Sequence, residues 1–476
     1  MSDQSAVVWT AAYGEPRKLG LLLKAAGRVR FTYDPDSGDL PGLSVVHDTA
    51  KLAGRTVEYA STDANPLPPM LQALVPPRAE GNLQRRVLTR ILERDGAVVG
   101  SAADVEWRML VMAGRNGIGH LDVFASDEAA AAHYGTPSEG LTMEQLADRS
   151  VVRLVLEATA PTADAIAIEK VAEVIKEQPS VMGMMPKLLV RILRDGGGTV
   201  DALVKIGSPD YPEVLALENL AYSAHALAGF DDDRPRRRHF VSEDGIELLA
   251  VERFDRKDGL PIPMESAFTA LYAASAGKIQ DRWSMNGLKP SLEDLLSKMS
   301  DPRAGISVDP QADKDRLFTR TMMGLLTGNG DNHLENHAFL GRRGRSRLSP
   351  LYDPAPMRQY HRHQMVSSMS FGGVAFNEGA VPSTLPEAIL AFGKSCGLQK
   401  RGVASRLDRC LTATDGFGKA AENVAPRVGK VLAARIEGIR FRVEKAWAAA
   451  AGVDLAARPK PADPAPTFET QGPSWT

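Results

Sequence analysis

Hydrophobic positions are spaced as in short strands early in the chain and as in helices later. Val7 to Trp9, Gly27 to Tyr33 and Gly42 to Val46 are β-prone stretches separated by Gly, Pro and Asp, which predicts a small strand-rich N-terminal unit. After the Pro-rich stretch Asn65 to Pro77, apolar Val87, Leu88, Ile91 and Leu92 predict a helix over Leu83 to Arg94 with arginines on its other face. Thr142, with Gln145 three residues on, forms a capping pattern and opens a run rich in Asp, Glu and Ala, so a domain boundary is set near residue 145.

Leu188 to Leu193 and Thr199 to Ile206 flank Gly196, Gly197 and Gly198 and read as a hairpin. Pro212 to Ala228 reads as an amphipathic helix, and Gly245 to Phe254 as one or two strands. Beyond Pro263 the pattern is helical, as in Leu317 to Leu326 and Val428 to Ala450, apart from a loop and hairpin over Thr327 to Tyr352. Arg458 to Thr476 is Pro-rich without periodicity, the pattern of a disordered tail. A β-rich half precedes an α-rich half, and no internal repeat is found.

Composition narrows the possibilities. The 476 residues exceed the needs of one small core. Lys and Arg total 57 against 59 Asp and Glu, a net charge of −2, so bulk charge does not point to a dedicated nucleic-acid binder. Two cysteines, Cys396 and Cys410, cannot make a disulfide framework or a thiolate zinc cluster, which fits a reducing cytoplasm. The first residues lack a basic segment followed by an apolar run, and the most apolar windows, Leu19 to Ala26 and Val151 to Ala158, carry Lys24 and Arg153. Neither a secretory signal nor a membrane span is expected.

The most informative window runs from Thr327 through Asp331, His333 and Asn336 to His337, followed by Leu348 to Asp353. Asp331 and Asn336 are five apart, the spacing of the protein-kinase catalytic loop, where Asp accepts the proton of the attacking hydroxyl and Asn holds a metal. Asp353 lies one short hairpin later, where a second acidic group would bring Mg²⁺ onto nucleotide phosphates. Pro354 and Ala355 replace the usual Phe-Gly, and Gly330 replaces the usual Arg, so an ordinary eukaryotic-type kinase is disfavoured. Two competing readings are a polar surface loop and a zinc site on His333 and His337. His-Leu-Glu-Asn-His does not place Glu directly after the first His, against the zinc reading.

Upstream, Lys205 sits in an apolar β-like run, which reads either as an edge-strand lysine facing water or as a buried ammonium that meets an anion, with Glu213 and Glu218 on the next helical segment as candidates. Ser180 to Lys187, with Gly183, is a weak phosphate-loop pattern, and Val251 to Arg256 suits a hinge that meets a purine ring. The basic clusters Arg234 to His239 and Arg342 to Arg347 read as solvated loops.

Taken in order, these motifs resemble the HipA-like serine/threonine kinases, toxins of bacterial type II toxin–antitoxin modules, over roughly residues 5 to 450. The resemblance implies an α+β fold: a small β-rich N-terminal domain (1–145) packed on a bilobal, protein-kinase-like domain (146–456). That domain divides into an N-lobe to about residue 256 and a mostly α-helical C-lobe, with a tail from 457 to 476. It implies that Lys205, Ser180, Gly183 and Lys187 serve ATP phosphates and that Glu252 and Phe254 lie at the adenine hinge. Asp331 would be the base with His333 beside it, Asn336 and Asp353 would bind Mg²⁺, and Glu218 would partner Lys205. Ser180 matches the family's autophosphorylated serine, although Met184 and Met185 depart from the usual loop. The implied reaction moves the ATP γ-phosphoryl group to a Ser or Thr of a protein, an aminoacyl-tRNA synthetase such as the glutamyl enzyme, and arrests growth. The implied partner is a helix-turn-helix antitoxin that contacts DNA. Two other readings remain: an inactive HipA-like subunit of a repressor, and a small-molecule phosphotransferase.

Overall fold

A computed structural model describes residues 3–78, 82–94, 101–136, 187–193, 197–230, 235–242, 245–272, 290–376, 379–458 and 466–469. The N-terminal unit is built on an antiparallel sheet of β1 (Gln4–Thr10), β2 (Arg17–Ala25), β3 (Arg28–Tyr33), β4 (Thr56–Ala60) and β5 (Asp122–Phe124). The strand order is β4-β3-β2-β1-β5. The two-residue link between β2 and β3 has both Ala26 (φ 49°) and Gly27 (φ 72°) in the left-handed region, the turn whose twist matches a tight hairpin. On β3, Val29, Phe31 and Tyr33 point into the core while Arg28 and Arg30 are exposed. The expected 83–94 helix forms, and with a second helix over Ala102–Ala113 it buries Leu88, Leu92, Trp107 and Leu110 against Leu22 and Phe31.

One expected strand is absent. Gly42 to Val46 is a buried loop, because the Ser44 hydroxyl and Val45 amide donate to Glu265 Oε2 (2.7 and 2.6 Å) instead of to a neighbouring strand.

A second antiparallel sheet contains β6 (Lys187–Leu193), β7 (Thr199–Ile206), β8 (Arg237–Val241) and β9 (Glu247–Glu252), in the order β6-β7-β9-β8. The first two are the limbs of the expected hairpin, and the 214–225 helix packs against β9. Here the reading of the basic clusters as solvated loops fails. Arg237 lies on β8, buried, donating to Asn219 Oδ1 (2.6 Å) and Ser223 Oγ (2.8 Å). In the second cluster, Arg343 donates to the carbonyls of Val46 (2.7 Å) and Ala304 (2.6 Å) and so ties the N-terminal unit to the helical part.

The helical part centres on Pro310–Thr327, which contains the Leu317 to Leu326 pattern, and Gly429–Ala451, which covers the Val428 to Ala450 pattern except Val428, its cap residue. Asp309 caps the first of these through the Ala312 amide (3.0 Å), with Pro310 at the position where no backbone donor is needed. Phe318, Phe392, Leu407 and Ile439 belong to its shared core. A three-stranded sheet of Met264–Ser266, Ala338–Leu340 and Arg347–Leu348 crosses its edge. Within the tail expected to be disordered, residues 466–469 are ordered: the Phe468 ring meets Phe417 edge-on at 5.8 Å, and the Glu469 carbonyl accepts from Ser223. Cys396 and Cys410 are free and buried. Among the described residues no helix is long and apolar enough to cross a membrane.

Candidate active site

The β7 alternation decides where the lysine goes. Val200, Ala202, Val204 and Ile206 face the apolar core of their sheet, so Leu203 and Lys205 face the opposite side, where both line a cavity of about 450 Å³. Register puts Lys187 of β6 directly opposite Lys205, and Glu252 of β9 opposite Ala202.

Lys205 Nζ, buried, donates to Glu218 Oε1 (2.6 Å) and Oε2 (2.7 Å) and to Asp353 Oδ1 (2.6 Å). Burial alone would lower the Lys205 ammonium, but the two carboxylates outweigh it and hold its pKa above the ordinary lysine value. Asp353 shows the converse: burial favours its neutral form, yet Lys187 (3.6 Å from Oδ2) and Lys205 keep it far below the usual carboxylate range. Glu213 is elsewhere, accepting from the Arg427 amide (2.9 Å) at the start of the 214–225 helix.

The loop bearing Asp331 follows the 310–327 helix, which ends at Gly328 (φ 82°), a left-handed cap that glycine adopts without strain. A Cβ on Gly328 would lie 2.6 Å from Leu432 Cδ1, and one on Gly330 would run into the Met365 carbonyl oxygen. This crowding accounts for glycine at position 330, where the protein-kinase catalytic loop has arginine. Asn329 then acts twice: its Oδ1 accepts from the Asp331 amide (3.2 Å) and its Nδ2 donates to the Asp353 carbonyl (3.3 Å). Asn336 Nδ2 donates to the Asp331 carbonyl (2.9 Å), which leaves its side-chain oxygen as the remaining acceptor. His333 caps the turn Leu334–Asn336 by accepting from the Glu335 amide at Nδ1 (3.2 Å). Burial first, then Asp353, raises the Asp331 carboxyl above its ordinary value, while His333 and His363 pull it down.

Glu252 and Phe254, the expected hinge residues, line the same cavity, and the Phe254 ring lies 5.8 Å from that of Tyr352. The segment after Asp353 has no Phe-Gly; instead Ala355, Met357 and Tyr360 pack on Val214, Leu215, Leu249 and Val251.

Lys187, Lys205, Glu252, Phe254, Asp331, His333, Asn336 and Asp353 therefore line one cavity, with Glu218 paired to Lys205. Ser180 and Gly183 lie outside the described residues. The zinc pairing does not form: His333 faces the cavity, whereas His337 is fully buried and follows a short 3₁₀ turn instead of sharing a helix face. The motif reading did not pick out Asn329, Tyr352 and His363, although Asn329 stands inside the Thr327 to His337 window.

The family model of the HipA-like C-terminal domain matches residues 179–416, half of the chain. The chain belongs to the HipA-like family. Its fold is that of a HipA: the HipA of Shewanella oneidensis MR-1, solved in a complex with HipB and operator DNA, superposes with a TM-score of 0.57. The two are 17% identical, and the superposition covers 94% of this chain and 98% of that one. The HipA-like architecture is thus a β-rich N-terminal unit on a protein-kinase-like bilobal domain with a helical C-lobe. The Helicobacter pylori proinflammatory kinase CtkA also aligns, at 11% identity and a TM-score of 0.34, over 57% of this chain and 93% of that one. No curated protein matches by sequence.

Proposed function

We propose that this HipA-like chain is an ATP- and Mg²⁺-dependent protein serine/threonine kinase and the toxin of a type II toxin–antitoxin pair. The observation that carries the reading is the meeting of Lys205 with both Glu218 and Asp353 in a cavity that also holds Asp331 and Asn336. A volume of about 450 Å³ is within the range of small-ligand pockets.

In this reading Lys205 and Lys187 supply fixed positive charge to the phosphates, and Glu218 holds Lys205 in place. Glu252 and Phe254 meet the purine ring at the hinge. Asp331 accepts the proton of the Ser or Thr hydroxyl, oriented by Asn329 and Asn336, which hold its backbone on both sides. Asp353 and the Asn336 side-chain oxygen are hard oxygen donors among the residues lining the cavity and fit Mg²⁺, which when bound would neutralise phosphate charge. An aminoacyl-tRNA synthetase, the glutamyl enzyme first, is the proposed protein target, with growth arrest as outcome. The complex of the Shewanella HipA with HipB and operator DNA supports a helix-turn-helix antitoxin as partner and an indirect route to DNA. Ser180 is the proposed autophosphorylation site, and the cytoplasm the proposed compartment.

The test is phosphate incorporation from radiolabelled ATP and Mg²⁺ into the chain and into host lysate. Label that disappears with Asp331→Asn, and self-label that disappears with Ser180→Ala, is the expected result. ATP binding without transfer in any sample replaces this reading with an inactive binding subunit, and absence of both removes the nucleotide site.

A further inference from the structure

Phe254, the proposed hinge residue, is flanked by a charged knot that joins it to the N-terminal unit. Buried Asp255 accepts from Arg253 Nε at Oδ1 (2.9 Å). Its Oδ2 accepts from Arg253 Nη2 (2.8 Å), Arg256 Nη1 (2.9 Å) and the Gly119 amide (2.8 Å). The two guanidiniums reach on to backbone carbonyls of the same loop. Arg253 Nη2 donates to Gly117 (2.7 Å), and Arg256 donates to Gly117 (2.8 Å) and Gly119 (2.8 Å). That loop is itself pinned, with the Asn116 amide donating to Asp122 Oδ1 of β5 (2.7 Å), and its Ile118, followed by His120, lines the nucleotide cavity.

These contacts have the character of a device that fixes position. Arg253 and Asp255 are buried and the Arg256 side chain keeps only 10% of its exposure, a costly arrangement for three charges unless every partner is present. Four of these seven hydrogen bonds reach carbonyls or an amide of the N-terminal unit. If that unit undocks, the residues on both sides of Phe254 lose their anchors together. On the kinase reading above, we infer that Arg253, Asp255 and Arg256 are positioning residues that fasten the nucleotide hinge to loop 116–119. ATP affinity then depends on docking of the N-terminal unit, and by linkage ATP strengthens that docking.

The test uses the full chain with Arg256→Met, Arg256→Lys and Gly119→Ala, the last because a Cβ there would lie 2.7 Å from the Met264 carbonyl oxygen. Expected for Arg256→Met and Gly119→Ala is a KM for ATP raised about tenfold or more with kcat kept within about threefold. Arg256→Lys, which keeps the charge without the two-armed reach, falls between. Hydrogen exchange should accelerate together in residues 116–124 and 247–257. If Arg256→Met does not fold, the other two variants carry the test. An unchanged KM in folded variants, a loss in kcat alone, or faster exchange on one side only overturns the inference while leaving the kinase reading intact. A wild-type chain that neither binds nor uses ATP overturns the kinase reading itself, and this inference with it.

Discussion

Lys205 and Asp353 lie 148 residues apart in the chain and meet at 2.6 Å. Asp353 reaches the lysine from a left-handed backbone conformation (φ 54°), a strain of about 1–3 kcal/mol for a residue with a side chain. The Asn329 side chain holds the Asp353 carbonyl, and the cluster of Ala355, Met357 and Tyr360 anchors the chain just beyond it. The carboxylate is thereby presented to Lys187 and Lys205 at once.

Removing the partner behind the lysine tests that preorganisation. Glu218 is fully buried, so Glu218→Ala leaves an undercompensated ammonium and should cost about 3–5 kcal/mol in denaturant unfolding. Phosphoryl transfer should fall with it. A loss near zero would mean that Asp353 alone satisfies Lys205.

Asp331→Asn should lower the rate of phosphoryl transfer by about 100- to 10,000-fold, the contribution of a general base, with ATP binding retained. Burial raises the Asp331 pKa, and a base works only when deprotonated. The acid limb of the wild-type rate profile should therefore lie above the pH of an ordinary aspartate and be missing from the variant's residual activity.

Gly330→Ala is a one-methyl change beside the base. Its Cβ would strike the Met365 carbonyl, backbone that cannot rotate away, so a cost of about 1–3 kcal/mol in stability and a displaced Asp331 are expected. Thermal unfolding and transfer rate measured on the same sample check both effects. Normal activity and stability would show that residues 328–331 can shift freely.

Glu265 makes stability depend on pH in a defined direction. Burial raises its carboxyl to about 7, with the Ser44 and Val45 donors pulling down and Glu335 adding repulsion. The folded chain therefore holds a proton that the unfolded chain releases near pH 4.5, so this contribution to stability is full below that pH and is lost as pH rises to about 7. Because the buried histidines His47, His120 and His225 act in the opposite direction over the same range, the test is the difference in melting temperature between wild type and Glu265→Gln, which should fall as pH rises across this window. A difference that stays flat or rises would show that Glu265 does not carry this dependence.

What the sequence determined by itself is local. The 187–206 hairpin was legible because alternation and a glycine turn act between near neighbours, and the 310–327 and 429–451 helices because apolar spacing and end signals lie within each segment. Asp331, Asn336 and Asp353 were legible for the same reason, as a spacing inside one loop and hairpin. Tertiary structure alone decided between Glu213 and Glu218, since only the packing of the 214–225 helix on the sheet turns one of them toward Lys205. It also turned Gly42 to Val46 from a plausible strand into a loop held by Glu265, and two basic clusters from solvated loops into buried and bridging contacts. The knot around Asp255 had no readable signal: its arginines bind carbonyls 136 to 139 residues away. A backbone carbonyl is present at every residue, so no side-chain pattern marks the ones that folding will bring within reach.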